Sequence, residues 1–302
     1  MNLEGFPEFP SSRHVVLGDR QPVEDLFARF PTEISERTFG SVFVWRNYER
    51  RGELSMLDGH LVISWFKPKY GRGILPPVGP EPVRIIEALA DPAMMGRHEF
   101  GGTFGLLEPE VSSLRSKGRS CESLRDEWDY VYRTEDLIGL EGPKYHTQRK
   151  ELKKATSQLE LVFEPMTRAH QQACLELEET WCDLKHCTFD KSSHAEDLAL
   201  REAIVNLDVL GFFGGVVLAN GKVQALTVGE RLNRNTAVVH FEKANPSIRG
   251  LYQFVNHQFC ERSLKNFEFA NREQDVGEPG LRRAKEGYHQ HHFVEKHIMM
   301  LR

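Results

Sequence analysis

A chain of 302 residues exceeds the usual length of a single domain, so the sequence predicts two domains of ordinary size. Hydrophobic residues make up 40% and charged residues 27% of the chain, a balance that excludes an intrinsically disordered protein. The net charge of −5 argues against a DNA-binding protein, because overall affinity for nucleic acid needs an excess of Lys and Arg.

Signals for membrane insertion and secretion are absent from the sequence. The longest apolar run, residues 216–219, is far shorter than the roughly 20 residues of a membrane-spanning helix. Residues 1–10 lack the basic start and apolar stretch of a secretory signal. Five cysteines without a C-x-x-C pair indicate reduced thiols rather than a disulfide framework. A cytoplasmic location is therefore expected.

One helical pattern places His, Cys or Glu at every fourth residue from His170 to His186. A step of four residues turns about 40° around a helix, so the two ends of this series would face about 160° apart and could not share one ion. Cys182, His186 and Cys187 could still converge, but a helix that simply packs these groups is the preferred interpretation. We therefore predict no metal site.

Two regions of the chain repeat the same order of predicted elements. In the first, residues 54–57 and 61–65 flank Asp58-Gly59, a pair typical of the tight turn of a β-hairpin. Further strands and helices then alternate, and they are predicted at 73–75, 82–90, 103–107, from 109 onward, and at 128–132.

The second region begins with the same hairpin signal. Residues 212–219 and 222–229 flank Asn220-Gly221, and the alternation repeats at 236–241, 247–262, 267–270, 279–287 and 293–300. A hairpin followed by alternating strands and helices forms a mixed sheet with helices between adjacent strands. The predicted organisation is thus α/β with two mixed-sheet units, residues 1–143 and 159–302, joined by a basic helix at 144–158.

A candidate anion site lies where the predicted strand 236–241 passes through a polar loop into a helix. Backbone N–H groups at a helix start bind phosphate or carboxylate, and Arg249 would add a guanidinium beside Gly250 and Tyr252. Glu242 stands at the end of this strand. The alternative is an ordinary capped helix with a solvent-facing arginine.

A second candidate segment begins at the end of the next predicted strand, where the sequence is crowded with amide, carboxylate and guanidinium groups. Loops at strand ends line ligand crevices in open α/β sheets. We predict that these polar and basic residues orient a polar substrate and attract its anionic group: Asn271, Arg272, Asp275, Arg282 and Lys285. The alternative is a solvated network of ion pairs.

The basic helix at 144–158 is a candidate nucleic-acid contact in an otherwise acidic chain. Arg149, Lys150 and Lys153 could contact tRNA, and a solvated helix face explains the same charges. Signatures of nucleotide hydrolysis, hydride transfer and zinc proteolysis are absent from the sequence.

The chain resembles the family named for the C-terminal domain of bacterial phosphatidylglycerol lysyltransferases, in its short, soluble branch. The resemblance is carried by H-F-E-K-A at 240–244, N-R-E-Q-D at 271–275 and G-L-R-R-A-K at 280–285, and it runs from Ser41 to Lys296. It implies two tandem acetyltransferase-like (GNAT) folds. It also implies kinship with enzymes that move an aminoacyl group from a charged tRNA to an amine or hydroxyl of a lipid or peptide, and for this chain we expect a small-molecule or lipid-like acceptor.

On that resemblance we expect an aminoacyltransferase that needs no covalent intermediate, because positioning and preorganised dipoles supply most of the rate. Glu242 or Asp275 would hold or deprotonate the acceptor. Two alternatives stay open: an acyl-CoA-dependent N-acetyltransferase and a non-catalytic module that binds a small ligand. The glycine-rich pyrophosphate loop expected of coenzyme A enzymes is reduced here to Arg249-Gly250.

Overall fold

The computed structural model describes residues 5–95, 97–185 and 191–301. Contacts divide the chain into two units, Met1–Asp129 with Val294–Arg302, and Tyr130–Phe293. These boundaries differ from the predicted ones at 143 and 158. The basic helix belongs to the second unit, and the end of the chain belongs to the first.

The elements are named in chain order. The strands are β1 (Arg13–His14), β2 (Glu53–Leu57), β3 (His60–Lys67), β4 (Gly71–Ile74), β5 (Gly102–Leu106), β6 (Glu122–Ser123), β7 (Asp129–Arg133), β8 (Leu161–Pro165), β9 (Phe213–Ala219), β10 (Lys222–Arg231), β11 (Thr236–Ala244), β12 (Phe269–Asn271), β13 (His292–Val294) and β14 (His297–Met300). The helices are α1 (Arg20–Arg29), α2 (Phe39–Val44), α3 (Pro82–Leu89), α4 (Pro92–Met95), α5 (Glu108–Ser116), α6 (Thr134–Gly139), α7 (His146–Gln158), α8 (Gln171–Lys185), α9 (Lys191–Val205), α10 (Leu207–Leu210), α11 (Leu251–Phe259) and α12 (Pro279–Glu286).

The same strand topology occurs twice. One sheet has the order β1-β2-β3-β4-β5-β14-β6 and the other has the order β8-β9-β10-β11-β12-β7-β13. In each sheet an antiparallel meander of four strands leads into one parallel pair, β4 with β5 or β11 with β12. An antiparallel strand from the other half of the sequence follows, β14 or β7. The predicted fold class, mixed-sheet α/β built twice, is confirmed.

The two predicted hairpins are confirmed together with their turns. Asp58 and Gly59 have φ of 47° and 74°, and Asn220 and Gly221 have φ of 51° and 72°. Left-handed backbone at both central residues defines the turn that matches the twist of a two-stranded hairpin, and Asn, Asp and Gly adopt it most readily.

The predicted final strand at 293–300 is wrong as a single element. The structure has β13 and β14 in its place, and they pair in different sheets. The apolar pattern across these residues reflects two successive short strands. Local sequence cannot distinguish this from one long strand, because the change of sheet depends on partners far away in the chain.

The exchanged strand of the first unit is anchored by a buried ionic cluster. Lys296, whose side chain is 1% exposed, donates to Glu36 at 2.6 Å and to Asp129 at 2.7 Å. Asp129 also accepts hydrogen bonds from the backbone N–H and the hydroxyl of Ser35. Charges buried this deeply are tolerated only when they are paired and hydrogen-bonded.

Apolar side chains of α11 and of the neighbouring sheet form the core around the candidate site in the second unit. Phe259 packs with Val239 and Tyr132, and Val255 packs with Val217. In the part of the chain that the structure describes, no helix has the length and apolar character required to cross a membrane.

Candidate functional site

The site is built where the two parallel strands of the second unit separate. β11 and β12 are paired only from Thr236 with Phe269 to Val238 with Asn271. β11 then continues to Ala244, whereas the chain leaves β12 at the next residue. Side chains that follow this point on either strand therefore line an opening at the strand ends, the place where open α/β sheets bind ligands.

A β-bulge in β11 turns the strand at this opening. Val228 of β10 lies opposite Phe241 and Gly229 lies opposite Val239, so His240 has no opposite residue. The strands approach closely here, because a Cβ on Gly229 would lie 2.4 Å from the carbonyl oxygen of Val238. An extra residue on one strand bends it and redirects the side chains that follow.

The bulge explains how Glu242 comes to face α11. In a regular strand, residues three apart point to opposite faces. Val239 packs against Phe259 of α11, yet Glu242 accepts a hydrogen bond from Asn256 of the same helix at 3.4 Å. The inserted residue has restored both side chains to one face.

Glu242 and Arg272 form an ion pair in this opening. Nη2 of Arg272 lies 3.2 Å from Oε1 and 3.4 Å from Oε2 of Glu242. The side chain of Arg272 is 13% exposed and that of Glu242 is 14% exposed. The Arg272 guanidinium lies 5.0 Å from the ring centre of Tyr288 and 5.8 Å from that of Tyr132. Burial raises the pKa of Glu242, and the attraction of Arg272 offsets this only in part.

One nitrogen of the Arg272 guanidinium is not hydrogen-bonded to any described residue. Its Nη1 is buried and has no hydrogen-bond partner among the described residues. A guanidinium has five N–H donors, and buried donors are normally all satisfied. An oxygen of a bound molecule would meet this donor.

His240 lies between two carboxylates. Its Nδ1 is 2.6 Å from Oε1 of Glu273, its Nε2 is 2.8 Å from Oε1 of Glu230, and its ring is 1% exposed. Burial alone would lower the pKa of His240, but the hydrogen bonds to Glu230 and Glu273 outweigh burial and raise the pKa to about 10. His240 belongs to the H-F-E-K-A motif but was not among the predicted site residues.

Asp275 is engaged by the loop that contains it. Its carboxylate accepts from Nε and Nη2 of Arg282 at 2.8 Å each, from the Tyr130 hydroxyl at 2.6 Å and from the Gly277 N–H at 2.9 Å. The side chain is fully buried. Burial opposes ionisation, but the hydrogen bonds from Arg282 and Tyr130 hold the pKa of Asp275 well below its usual range.

The remaining predicted residues of this segment also fold the loop on itself. Nζ of Lys285 donates to the carbonyl oxygens of Arg272, at 2.5 Å, and of Gln274. The Asn271 side chain accepts from the Glu273 N–H at 2.8 Å, and Glu273 has φ of 57°. The segment thus presents Arg272 to the opening and uses Arg282 and Lys285 for contacts within itself.

The predicted anion cradle at the start of α11 is covered by α7. Arg249 makes a two-pronged ion pair with Glu151, with Nε–Oε2 at 2.7 Å and Nη2–Oε1 at 2.9 Å. A Cβ on Gly250 would lie 2.1 Å from the carbonyl oxygen of Glu151. The hydroxyl of Tyr252 lies 3.3 Å from Nε1 of Trp181, which donates to it. The three residues predicted for this cradle are therefore occupied by protein groups.

A second ionic cluster, which the sequence analysis missed, involves the residue after Glu242. Nζ of Lys243 lies 3.0 Å from Oε1 of Glu196, 4.0 Å from Oε1 of Glu178 and 3.6 Å from the ring centre of Trp181. Glu178 is fully buried, neither of its oxygens has a hydrogen bond to a described residue, and burial raises its pKa to about 7.

The basic residues of α7 lie on its outer face. Lys150 and Lys153 are exposed, and Arg149, also exposed, donates to the carbonyl oxygens of Leu140 and Gly142. Two of the three residues considered above as possible metal ligands, His186 and Cys187, lie outside the described residues. Within the described ranges, no group of three or more His, Cys, Asp or Glu side chains is arranged to hold a metal ion.

The first unit has a different composition at the corresponding strand ends. β4 is followed by Leu75-Pro76-Pro77 and β5 is followed by Leu107. These four side chains carry no titratable group, whereas Glu242 and Arg272 stand beyond the paired residues of β11 and β12 in the second unit.

Comparison with known proteins gives a family match over most of the chain. The model described as "Phosphatidylglycerol lysyltransferase, C-terminal" matches residues 27–300. No curated protein sequence gives a significant match.

Solved structures of three similar proteins cover nearly the whole chain. A conserved protein of unknown function from Bacteroides thetaiotaomicron is 28% identical, with a TM-score of 0.87 and coverage of 96% of this chain and 99% of that chain. The C-terminal domain of a putative lysylphosphatidylglycerol synthetase from Agrobacterium fabrum is 12% identical, with a TM-score of 0.67 and coverage of 94% and 92%. L-PGS from Bacillus licheniformis is 11% identical, with a TM-score of 0.64 and coverage of 93% and 91%.

The fold is shared more widely. A tandem GNAT protein from the clavulanic acid biosynthesis pathway has a TM-score of 0.51 at 8% identity, with coverage of 97% of this chain and 98% of that chain. This likeness agrees with the repeated sheet topology. The predicted pair of tandem GNAT-like folds is confirmed.

Proposed function

The chain belongs to the family of phosphatidylglycerol lysyltransferase C-terminal domains, and on that premise we propose that it is an aminoacyltransferase with its site between β11 and β12. The observation that carries this proposal is the half-buried Glu242–Arg272 pair at the separation of the two strands. Two opposite charges beside an opening, one with a raised pKa and one with an unpaired donor, provide the groups that acyl transfer needs.

The proposed reaction moves an aminoacyl group from the ribose of a charged tRNA to an amine or hydroxyl acceptor. The acceptor nitrogen or oxygen attacks the ester carbonyl carbon, and the bond from that carbon to the ribose oxygen breaks. The proton that the acceptor loses ends on the ribose oxygen. Glu242 relays this proton, because a carboxylate with a raised pKa is a better base than an ordinary surface carboxylate.

Arg272 is proposed to act on the carbonyl side of the reaction. The oxygen of the carbonyl gains negative charge as the acceptor attacks, and a preformed donor aimed at that oxygen lowers the barrier. The free Nη1 supplies such a donor. Asp275 does not fit the role of base, since its low pKa and four hydrogen bonds stabilise the ionised form.

A tRNA donor is favoured over acyl-CoA by the start of α11. Coenzyme A binding to a helix start needs free backbone N–H groups and a close approach of phosphate. Here Gly250 lies against the Glu151 carbonyl and Arg249 is paired with the same residue. The exposed Lys150 and Lys153 of α7 offer charge to a phosphate backbone instead.

The test is a transfer assay with a panel of radiolabelled aminoacyl-tRNAs, mixed amine acceptors and phosphatidylglycerol vesicles. We expect protein-dependent loss of label from tRNA to an acceptor, reduced about 100-fold in Glu242→Gln. Glu179→Gln is the matched control, because it neutralises an exposed carboxylate of the same unit and should leave the rate unchanged. Transfer from acyl-CoA but not from tRNA would overturn the proposed donor, and ligand binding without transfer from either donor would indicate a non-catalytic module.

The tRNA contact is tested separately by charge reversal. Lys150→Glu with Lys153→Glu should weaken tRNA binding and make it less salt-dependent, because each lost phosphate contact reduces the slope of log affinity against log salt by about one. Lys222→Glu, at another exposed lysine of the second unit, provides the control. Equal loss in the control would mean that only net charge matters.

A further inference from the structure

We propose that His240 is a positioning residue which, protonated on both ring nitrogens, holds the 272–275 loop so that Arg272 faces Glu242. The charge state of His240 is independent of the reaction, whereas its effect on transfer rests on the proposed function. The proposal rests on the hydrogen-bond distances from the two ring nitrogens of His240 to a carboxylate oxygen of Glu273 and one of Glu230.

With Glu230 and Glu273 both ionised, only the imidazolium satisfies this geometry. A neutral imidazole has one N–H, so one of its nitrogens would present a lone pair to a carboxylate oxygen at 2.6 or 2.8 Å. The charged ring donates to both. The groups that face it are Glu230 from β10, Glu273 from the loop, and the rings of Phe212 and Phe241, whose centres lie 5.8 and 6.2 Å away.

The backbone at Glu273 connects this interaction to Arg272. Glu273 has a left-handed φ, and the side chains of Arg272 and Glu273 point in different directions. Glu273 contacts His240, whereas Arg272 contacts Glu242. Both partners belong to β11. β11 supplies the cation in one ion pair and the anion in the other. Both pairs join β11 to the loop just beyond Val238 and Asn271, where backbone pairing ends.

Loss of the imidazolium would separate the two strand ends. Glu230 and Glu273 would then be two carboxylates without a shared cation, and their repulsion would move the loop. Arg272 and Glu273 are adjacent and share one pair of backbone hydrogen bonds to Tyr130, so a displacement of Glu273 also strains the bond that places Arg272. A misplaced guanidinium lowers the rate of the chemical step more than it weakens substrate binding.

The first arm of the experiment is NMR of the full chain with ¹⁵N-labelled histidine. Of the 13 histidines, we expect one ring to stay protonated on both nitrogens near pH 8.5, well above the ordinary titration range. This signal should vanish in His240→Gln and persist in the control His257→Gln, whose ring, among the described residues, bonds to the Ile138 carbonyl and to Gln258. If every histidine ring is neutral near pH 8.5, the proposal is overturned. Should His240→Gln fail to fold, Glu273→Gln should lower the titration point of the same signal.

The second arm measures transfer kinetics. We expect His240→Gln to lower kcat about tenfold or more with little change in KM, and the pair His240→Gln with Glu273→Gln to recover part of the loss, because two amides can bond without charge. An equal fall of kcat and rise of KM, or no recovery, would overturn the positioning role. Absence of transfer in the unaltered protein would overturn the proposed function alone, since the NMR result does not depend on it.

Discussion

Nη2 of Arg272 lies 3.2 Å from Oε1 of Glu242. Glu242 is four residues beyond the point on β11 where backbone pairing with β12 ends. The two residues are 30 positions apart in the chain. They meet because a parallel pair brings two strand ends to the same edge of the sheet, and because the bulge at His240 turns Glu242 toward α11. The same pair connects the fold to the proposed chemistry and to the stability of the second unit.

Removing the cation of this pair should destabilise the protein. Arg272→Met leaves Glu242 half-buried without its partner, and we expect the free energy of unfolding to fall by about 3 kcal/mol near pH 8. Urea denaturation at two pH values checks this. Because burial raises the pKa of Glu242, an orphaned Glu242 takes up a proton more readily, and the loss should be smaller near pH 5.

Adding Glu242→Gln to Arg272→Met supplies the control for that experiment. The double variant removes the uncompensated charge, so most of the lost stability should return. A double variant no more stable than Arg272→Met would mean that the loss comes from packing of the arginine side chain against Tyr132 and Tyr288 rather than from charge.

Glu178 should make the protein less stable as the pH rises. Its pKa is raised by burial to about 7 from an ordinary value of 4.5, so the folded state retains a proton that the unfolded state releases between these values. The contribution of Glu178 to stability is thus fully present below about pH 4.5 and is lost as the pH rises through 7. Glu178→Gln should stabilise the protein by about 2 kcal/mol near pH 8 and have little effect near pH 4.5.

The check on Glu178 is the difference in urea midpoint between the variant and the parent protein across that range. Glu179→Gln is the matched control, since Glu179 is the exposed neighbour on α8. A difference that stays constant with pH would show that Glu178 does not titrate in the folded state within this range.

Asp275 should have the opposite pH dependence. Its folded pKa is depressed, so its stabilising contribution is present above the ordinary value near 4 and is lost as the pH falls below that value toward the folded pKa. Asp275→Asn should cost about 2 kcal/mol near pH 7, because it weakens charged hydrogen bonds from Arg282 and Tyr130. The cost, measured by urea unfolding, should shrink near pH 3. A cost that does not change between these pH values would contradict the assignment.

Local sequence predicted the hairpins and most of the strands and helices, because Asp58-Gly59 and Asn220-Gly221 are turn signals that need no distant partner. It did not predict that β7 and β14 belong to the sheets of the opposite halves, since which strand a segment pairs with depends on the whole fold. The predicted site residues of the 271–285 segment remain a prediction, and the structure adds which of them bond to one another. The internal pairing was not predictable, because Asp275 bonds to Tyr130, which lies 145 residues away, and Arg249 pairs with Glu151 at a separation of 98.

His240 and Lys243 were overlooked for a related reason. Both lie inside a strand, where polar residues are usually taken to face solvent, and their acidic partners come from other elements. A sequence signal did exist, because two basic side chains flank Glu242 within a segment that is otherwise apolar. Buried charges of this kind need partners, and a strand that carries three of them in four residues indicates a site rather than a plain core.

The start of α11 gives the sharpest test of how α7 is packed. Gly250 and Gly142 have nearly the same left-handed φ, 83° and 81°, but only Gly250 has a neighbour in the path of a Cβ, the Glu151 carbonyl at 2.1 Å. Gly142→Ala should cost about 1 kcal/mol for left-handed backbone alone. Gly250→Ala adds a clash with backbone that cannot move without displacing α7, so we expect a cost of about 3 kcal/mol in urea unfolding. Equal costs for the two variants would mean that α7 does not close the helix start, and the argument against a coenzyme A donor would lose its structural basis.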